Sequence, residues 1–500
     1  LTPHSLNINH SSTNYKFWIA GGLLALGLLL TSNNSHADEI DDFVIEQMKA
    51  RKIPGLQLAI VKDQKIVKTA HYGLSNLQDS VAVDKDTVFT INSMTKAFTG
   101  VAIMQLVEQG KLELNTGIAK YLTDLPLEWR ELTVNQLMSH TSGLPAIMGK
   151  FAGLISSEGI DASWEIVKKK PMEFEAGTKF KYNQVNYILL GKIIDHLSGM
   201  PFVDFITQNQ LNKVGMTKTA DAGFAHFEKI VPHQARAYTY YKTGKLTTIS
   251  AEFAPVLRTT AGMTSNAEEI AKWSIALQSG KLLKKKASLK TLWQPMLLKN
   301  GKTAGFNNHI NGYALGFPII NRTEHPAVTS IGADRSALVI YPQDNLSVVI
   351  LSNLTGALPS TFIDEIAGFY YPDMKAENGF GLTPDIKLLW QALESNGYDK
   401  ALQSVTQLQK EKGIKFNESE LNTWGYKLAG RNKLSKALEV FKLNTQLFPK
   451  SANTYDSLAE VYWLLGELDR SVFFYNKVLE LQPDNGYVKG QLKKLKAEKN

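Results

Sequence analysis

Ser93 and Lys96 stand one helical turn apart in the segment Ser93-Met94-Thr95-Lys96. On a helix that spacing puts both side chains on one face. A serine hydroxyl is a weak nucleophile and needs a base. A neutral lysine one turn away can take its proton. A helix N-terminus favours the neutral amine, because the positive end of the helix dipole opposes a further positive charge. By chance alone Ser-x-x-Lys should occur about twice in a chain of this size at average composition, so the surroundings have to carry the assignment. Thr87, Val88 and Phe89 make a short, largely apolar lead-in. An amphipathic helical pattern follows from Ala97 to Gln109 and closes at Gly110.

Other chemistries lose their residues. The chain has no cysteine, which excludes disulfides, zinc-thiolate sites, iron–sulfur clusters and cysteine nucleophiles. It has no Gly-x-Ser-x-Gly elbow, no His-Glu-x-x-His and no P-loop. No cofactor is implied. Of the 500 residues, 44% are hydrophobic and 20% charged, an ordinary globular balance. The net charge of +8 is spread over scattered lysines, with small clusters at Lys168–Lys170 and Lys284–Lys286. Without a nucleic-acid motif this reads as a solvated basic surface, and no nucleic-acid partner is expected.

The elements that must position Ser93 are an α+β set. Leu56 to Val61 reads as a strand, Lys62-Asp63-Gln64-Lys65 as a turn, and Ile66 to Thr69 as a second strand. Near the other end, Ser336–Tyr341 and Leu346–Leu351 read as strands around the turn Pro342–Asn345. Hairpins at both ends of a helical middle point to an antiparallel sheet that gathers both ends of the domain.

Several segments resemble the serine β-lactamase-related family, which groups class C β-lactamases, D-Ala-D-Ala carboxypeptidases, D-amino-acid peptidases and esterases. Thr87–Lys96 resembles its nucleophile region, Leu106–Leu114 its helix exit, and Leu137-Met-Ser-His-Thr-Ser-Gly-Leu-Pro145 its Leu-Leu-x-His-Thr-Ser-Gly-Leu-Pro signature. Gly177–Tyr182, Ala261–Ser265 and Leu351–Asn353 are similar to further family segments, so the resemblance covers about residues 42 to 371. It implies a β-lactamase/transpeptidase-like α+β fold, an antiparallel sheet flanked by helices plus a helical subdomain, and an acyl-enzyme on Ser93.

The family's Tyr-x-Asn motif falls on Tyr182-Asn183-Gln184. Tyr182 is then the general acid/base, its pKa expected to be drawn down by a lysine ammonium. Gln184 replaces the family's asparagine and is one methylene longer. The third motif, usually Lys- or His-x-Gly, aligns with Ser330-Ile331-Gly332. The N–H groups of Ser93 and Ala333 are expected to form the oxyanion hole. Ser330 carries no charge, so the usual partner for a substrate carboxylate is missing there; Arg335 is the nearby candidate to replace it. His140 reads as part of a structural turn. His325 reaches the cleft only if the register shifts.

Two further features frame the domains. Lys16, the apolar stretch Phe17–Leu30 and Ser35-His36-Ala37 form a secretory signal pattern, with Asp38 the first mature residue and a mature charge of +7. Export to the periplasm or medium is expected, with an uncleaved anchor as the alternative and no integral membrane domain after cleavage. From about Leu382 strand signals vanish. Pro449/Pro483, Ala437/Ser471 and Phe441/Tyr475 are each 34 residues apart, the tetratricopeptide period. Two repeats are read at Glu418–Pro449 and Ala452–Pro483, with a degenerate one near Leu388–Lys410. The expected organisation is thus 1–37 signal, 38–375 hydrolase domain and 376–500 an all-α tetratricopeptide-like domain.

The expected function is an exported serine hydrolase acting on a small ester, a D-amino-acid amide or a peptidoglycan-type peptide, with a protein or peptide partner on the repeats. A catalytically weak penicillin-binding scaffold and a β-lactamase are the alternatives.

Overall fold

In the computed structural model, residues 32–149, 154–224, 230–241, 244–249, 255–431 and 433–499 are described. The apolar stretch expected to serve as export signal lies outside them. Helix α1 (Ser32–Arg51) spans the expected junction at Ala37. No helix among the described residues is long and apolar enough to cross a membrane.

The strands in chain order are β1 (Gly55–Lys62), β2 (Lys65–Asn76), β3 (Val81–Ala82), β4 (Phe89–Thr90), β5 (Ala237–Thr239), β6 (Thr247–Ile249), β7 (Thr264–Ser265), β8 (Gly312–Tyr313), β9 (Pro318–Ile320), β10 (Ala327–Gly332), β11 (Ser336–Tyr341), β12 (Leu346–Ser352) and β13 (Leu354–Thr355). Eight of them form one sheet in the order β3-β2-β1-β12-β11-β10-β9-β8. The antiparallel pairing of β1 with β12, Leu58 opposite Ile350, joins the two ends of the domain as expected.

Both expected hairpin turns form. Asp63 and Gln64 take positive φ values of 49° and 61° between β1 and β2, the backbone hand that suits tight antiparallel turns. Strand β2 runs on to Asn76, past the expected end at Thr69. The cause is continued alternation, since Ala70 and Tyr72 still pack against the core.

Alternation also explains why the central strands read as unbroken apolar runs. Leu56, Leu58 and Ile60 of β1 pack on one face with Val348 and Ile350 of β12, against Ile40 and Val44 of α1. Ala59 and Val61 pack on the other face with Val349 and Leu351, against the helical body. A sheet covered on both faces has no polar side to alternate with. The helical body includes α2 (Thr95–Glu108), α3 (Val134–Met138), α4 (Ile160–Lys168) and α5 (Gln184–Ser198).

Beyond Leu382 the described residues are helical. Pro384–Asn396 and Ala401–Lys412 form a first pair, Glu418–Gly430 and Leu434–Leu447 a second, and Ala452–Leu464 and Leu468–Leu481 a third. Each helix of the third pair begins 34 residues after its counterpart in the second. Gly425 packs so closely on Phe441 that a Cβ there would sit 2.5 Å from the ring. The helices join the sheet domain through an ion pair between Arg431 and Glu365 at 2.9 Å and a hydrogen bond from Lys427 Nζ to the Gly381 carbonyl at 2.6 Å.

Candidate active site

Ser93 lies in a single 3₁₀ turn, Asn92–Met94, that runs directly into α2. The helix begins at Thr95, two residues before its sequence pattern, so Lys96 sits in its first turn. The turn is entered through Asn92, whose φ is 49°. Asparagine is among the few non-glycine residues that accept this left-handed geometry. Thr95 Oγ1 donates to the Asn92 carbonyl at 2.7 Å and fixes the turn from the helix side. Ser93 itself stays half-buried.

Lys96 is 1% exposed. Its Nζ donates to the Thr260 carbonyl at 2.7 Å and lies 4.8 Å from the ring centre of Tyr182 and 5.2 Å from that of Tyr187. Burial without a compensating carboxylate drives its pKa well below the ordinary lysine value. Thr260 stands one residue before the Ala261–Ser265 segment, and Ile91 N–H donates to the Met263 carbonyl at 2.8 Å. That segment therefore holds both the nucleophile turn and the lysine.

Burial raises the pKa of Tyr182 above the ordinary phenol value, outweighing the lowering effect of the neighbouring Ser93 hydroxyl. The expected electrostatics are thus reversed. No lysine ammonium draws the phenol down, because the amine is itself held toward neutrality. Burial thus favours the uncharged form of each group.

His140 explains how Tyr182 is held. It is fully buried and its ring centre is 4.3 Å from that of Tyr182. Its Nδ1 accepts from the Asn183 N–H at 3.1 Å and faces the Asn186 amide at 3.0 Å. Two donors at Nδ1 place the ring proton on Nε2. The His140 carbonyl accepts from Lys181 N–H at 3.0 Å. The His140–Gly143 turn is structural, and what it structures is the segment carrying Tyr182.

Asn183 is the N-cap of α5, its side-chain oxygen accepting from Val185 N–H at 3.0 Å. Gln184 opens the helix, and its Oε1 is buried without a hydrogen-bond partner among the described residues. Strand β10 comes alongside the nucleophile turn. Ser330 Oγ donates to the Met94 carbonyl at 3.4 Å. Gly332 approaches so closely that a Cβ would sit 1.9 Å from the Ile91 carbonyl oxygen, so only glycine fits. Ala333 follows with a φ of 47°. The structure thus brings Ser93, Lys96 and Tyr182 together, with Ser330 and Gly332 along one side.

Two further candidates, Arg335 and His325, form no hydrogen bond or ion pair with Ser93, Lys96 or Tyr182 among the described residues. Arg335 is 3% exposed, burial brings its pKa down to about 10, and its Nε has no hydrogen-bond partner among the described residues. Its carbonyl accepts from the N–H and the hydroxyl of Ser352 at 2.9 and 2.8 Å, which ties it to β12. His325 bridges Asp344 at 2.9 Å and Asp373 at 2.8 Å. A cavity of about 220 Å³ lined by Val61, Gln278, Trp293 and Ser347 contains none of these candidates.

The sequence reading missed the aromatic surroundings of Tyr182. Phe306 and Tyr313 lie 5.2 and 6.3 Å from it between ring centres, and Tyr187 donates its hydroxyl to the Met138 carbonyl at 2.9 Å. Phe306 is more than 120 positions away from Tyr182 in the chain, and no local pattern marks it.

Comparison with known proteins agrees with this geometry. The family model described as Beta-lactamase matches residues 40–369. Protein flp of Staphylococcus aureus (strain N315) is 27% identical over 341 residues, 67% of this chain and 66% of its own length. The chain thus spans just under two thirds of that relative. The penicillin binding protein from Bacillus halodurans superposes with a TM-score of 0.55 at 25% identity, covering 65% of this chain and 98% of the other. The D-amino acid amidase from Ochrobactrum anthropi SV3 gives a TM-score of 0.57 at 19% identity, covering 68% and 99%. With Ser93, a buried Lys96 and Tyr182 brought together beside β10, the chain belongs to the beta-lactamase family of serine hydrolases.

Proposed function

We propose that this chain is an exported hydrolase that forms an acyl-enzyme on Ser93 from an ester or a D-amino-acid amide or peptide. The observation that carries the reading is the buried Lys96, without a carboxylate partner among the described residues, 4.8 Å from the ring centre of Tyr182 and one turn after Ser93. The Lys96 amine keeps its lone pair while donating to Thr260. It accepts the Ser93 proton as Oγ attacks the acyl carbon. The oxyanion develops toward the N–H groups of Ser93 and Ala333. On collapse, the bond to the leaving oxygen or nitrogen breaks and that atom takes the Tyr182 hydroxyl proton. The Lys96 ammonium returns its proton to the phenolate. Water then repeats the sequence in reverse and frees the acid.

Among the named neighbours, one is a D-amino acid amidase and one a penicillin binding protein. Their substrates enter here only as classes to test. The neutral Ser330 disfavours a carboxylate-bearing β-lactam. Gln184 Oε1, buried without a partner among the described residues, supplies an acceptor for an amide N–H or amine of the acyl part. The export assignment comes from Lys16–Ala37. The paired helices after Leu382 are read as tetratricopeptide-like repeats that carry a peptide or protein partner.

The test is intact-mass spectrometry of the purified chain mixed with a panel of nitrophenyl esters, D-alanine amides and a fluorescent penicillin. An acyl adduct mapped to Ser93 supports the hydrolase. A chain that forms no adduct with any of them refutes it and leaves the scaffold alternative.

A further inference from the structure

Phe306 stands beside Tyr182 with 45% of its surface exposed. Its ring centre is 5.2 Å from that of Tyr182, 5.7 Å from Phe180 and 5.9 Å from Tyr313. It offers apolar surface beside the residue read above as the proton donor.

The loop that carries it is closed on itself. The Asn307 side-chain oxygen accepts from the N–H groups of His309 at 2.9 Å and Ile310 at 2.8 Å. The Asn307 N–H donates to the Ile310 carbonyl at 3.2 Å. Gly305 packs so tightly that a Cβ would sit 2.3 Å from that same oxygen. At the base of the loop, Lys299 N–H donates to the Gly177 carbonyl at 2.8 Å, which couples it to the segment leading to Phe180 and Tyr182. A ring already held in place loses little freedom when a ligand packs on it.

The rings that Phe306 touches carry no charge. Phe180, Tyr182 and Tyr313 are aromatic, and Ser330 and Gln184 carry no charge. Lys96 lies underneath with its amine turned to Thr260. A charged leaving group finds no counter-charge among these residues, whereas an apolar one finds a ring.

We infer that Phe306 is a specificity-determining residue that packs against the leaving group and selects apolar alcohols or amines. The inference rests on the reading of Ser93 as nucleophile and Tyr182 as proton donor. The leaving atom must come within hydrogen-bond reach of the Tyr182 hydroxyl to receive its proton. Whatever that atom carries therefore extends past the ring that Phe306 flanks. Phe306 moves no proton. It contributes apolar area that water would otherwise cover.

The experiment compares ethyl acetate with 3-phenylpropyl acetate, which share one acyl group and release primary alcohols of similar acidity. The wild-type protein should favour the phenylpropyl ester in kcat/KM by about tenfold or more. Phe306→Ala should lose most of that ratio and Phe306→Leu should keep much of it, with circular dichroism checking the fold of each. In parallel, wild-type protein is mixed with 4-nitrophenyl acetate and weighed intact. If Ser93 is acylated but the wild-type ratio is near one, or Phe306→Ala keeps the full ratio, the inference is overturned while the hydrolase reading stands. If Ser93 is never acylated, the hydrolase reading fails and takes the inference with it. The wild-type ratio decides the matter even where the alanine variant does not fold.

Discussion

Lys96 Nζ lies 4.8 Å from the ring centre of Tyr182 and donates its hydrogen bond to a neutral carbonyl, that of Thr260. A lysine in this position would ordinarily be an ammonium. Here desolvation is the whole cause of its shift, and the shift is downward. In this pair burial lowers the pKa of the amine and raises that of the phenol, which favours the uncharged form of each.

Activity should fall as pH drops through the Lys96 pKa, since the amine must be unprotonated to accept the serine proton. The acidic limb of kcat/KM should centre below the ordinary lysine value of about 10.4. A limb at that ordinary value would show that burial does not tune the residue. Replacing Lys96 with methionine should lower kcat/KM by roughly 10²–10⁴.

The same burial predicts the sign of a stability effect. Between the depressed folded pKa and the unfolded one, the unfolded chain binds an extra proton, so stability rises with pH across that window. Lys96→Met removes this cost. Its Tm at pH 7 should equal or exceed that of the wild type while turnover is lost. A large drop in Tm would mean the lysine is needed for folding.

Ser93→Ala should form no acyl adduct with any reactive donor. None of the other site residues named is placed to hold the intermediate. Label retained on the alanine protein, read by intact mass, would move the nucleophile elsewhere.

Esters should be turned over faster than cephalosporins. Ser330 is 2% exposed and occupied with the Met94 carbonyl, and Arg335 is only 3% exposed. A substrate carboxylate is thus left without a partner among the candidate residues, and an unmatched charge is costly to desolvate. A cephalosporin with the higher kcat/KM would refute this.

The sheet domain should require Phe380. It is 5% exposed and packs in the same apolar cluster as Met374 and Phe362, with the Arg322 guanidinium 4.4 Å above its ring. A chain ending after Leu382 should fold and be acylated on Ser93. A chain ending after Lys375 lacks this ring and should be less stable by about 3–5 kcal/mol, as for a large buried aromatic. Equal denaturation midpoints for the two would place the divide at Lys375.

His325 should act as a pH-dependent clasp. Asp373 and Asp344 raise its pKa against the opposing effect of burial. A raised pKa contributes stability that is present below the unfolded value and lost as pH rises through the folded one. His325→Asn should therefore lower Tm at pH 5.5 more than at pH 9. Since Asp373 is 72% exposed, the effect should be about 1 kcal/mol or less and weaken with salt.

What the sequence determined by itself was local. Ser93 and Lys96 share a face because a helix repeats every 3.6 residues, and the hairpins around Asp63 and Asp344 are written in short apolar runs broken by turn residues. The 34-residue spacing of the last helices is likewise a repeat that a reader can count. Tertiary structure decided everything that depends on remote partners. The Lys96 pKa is driven down only because Thr260, Tyr182 and Tyr187 bury it with no carboxylate beside it among the described residues. Phe306 becomes part of the site only because its loop folds back onto Tyr182. His140, a plain turn residue in the sequence, holds Tyr182 through the Asn183 N–H. His325 is drawn to Asp344 and Asp373 rather than to Ser93. The physical reason is common to all four: charge state and contact are set by which segments desolvate one another, and residue spacing along the chain carries no record of that.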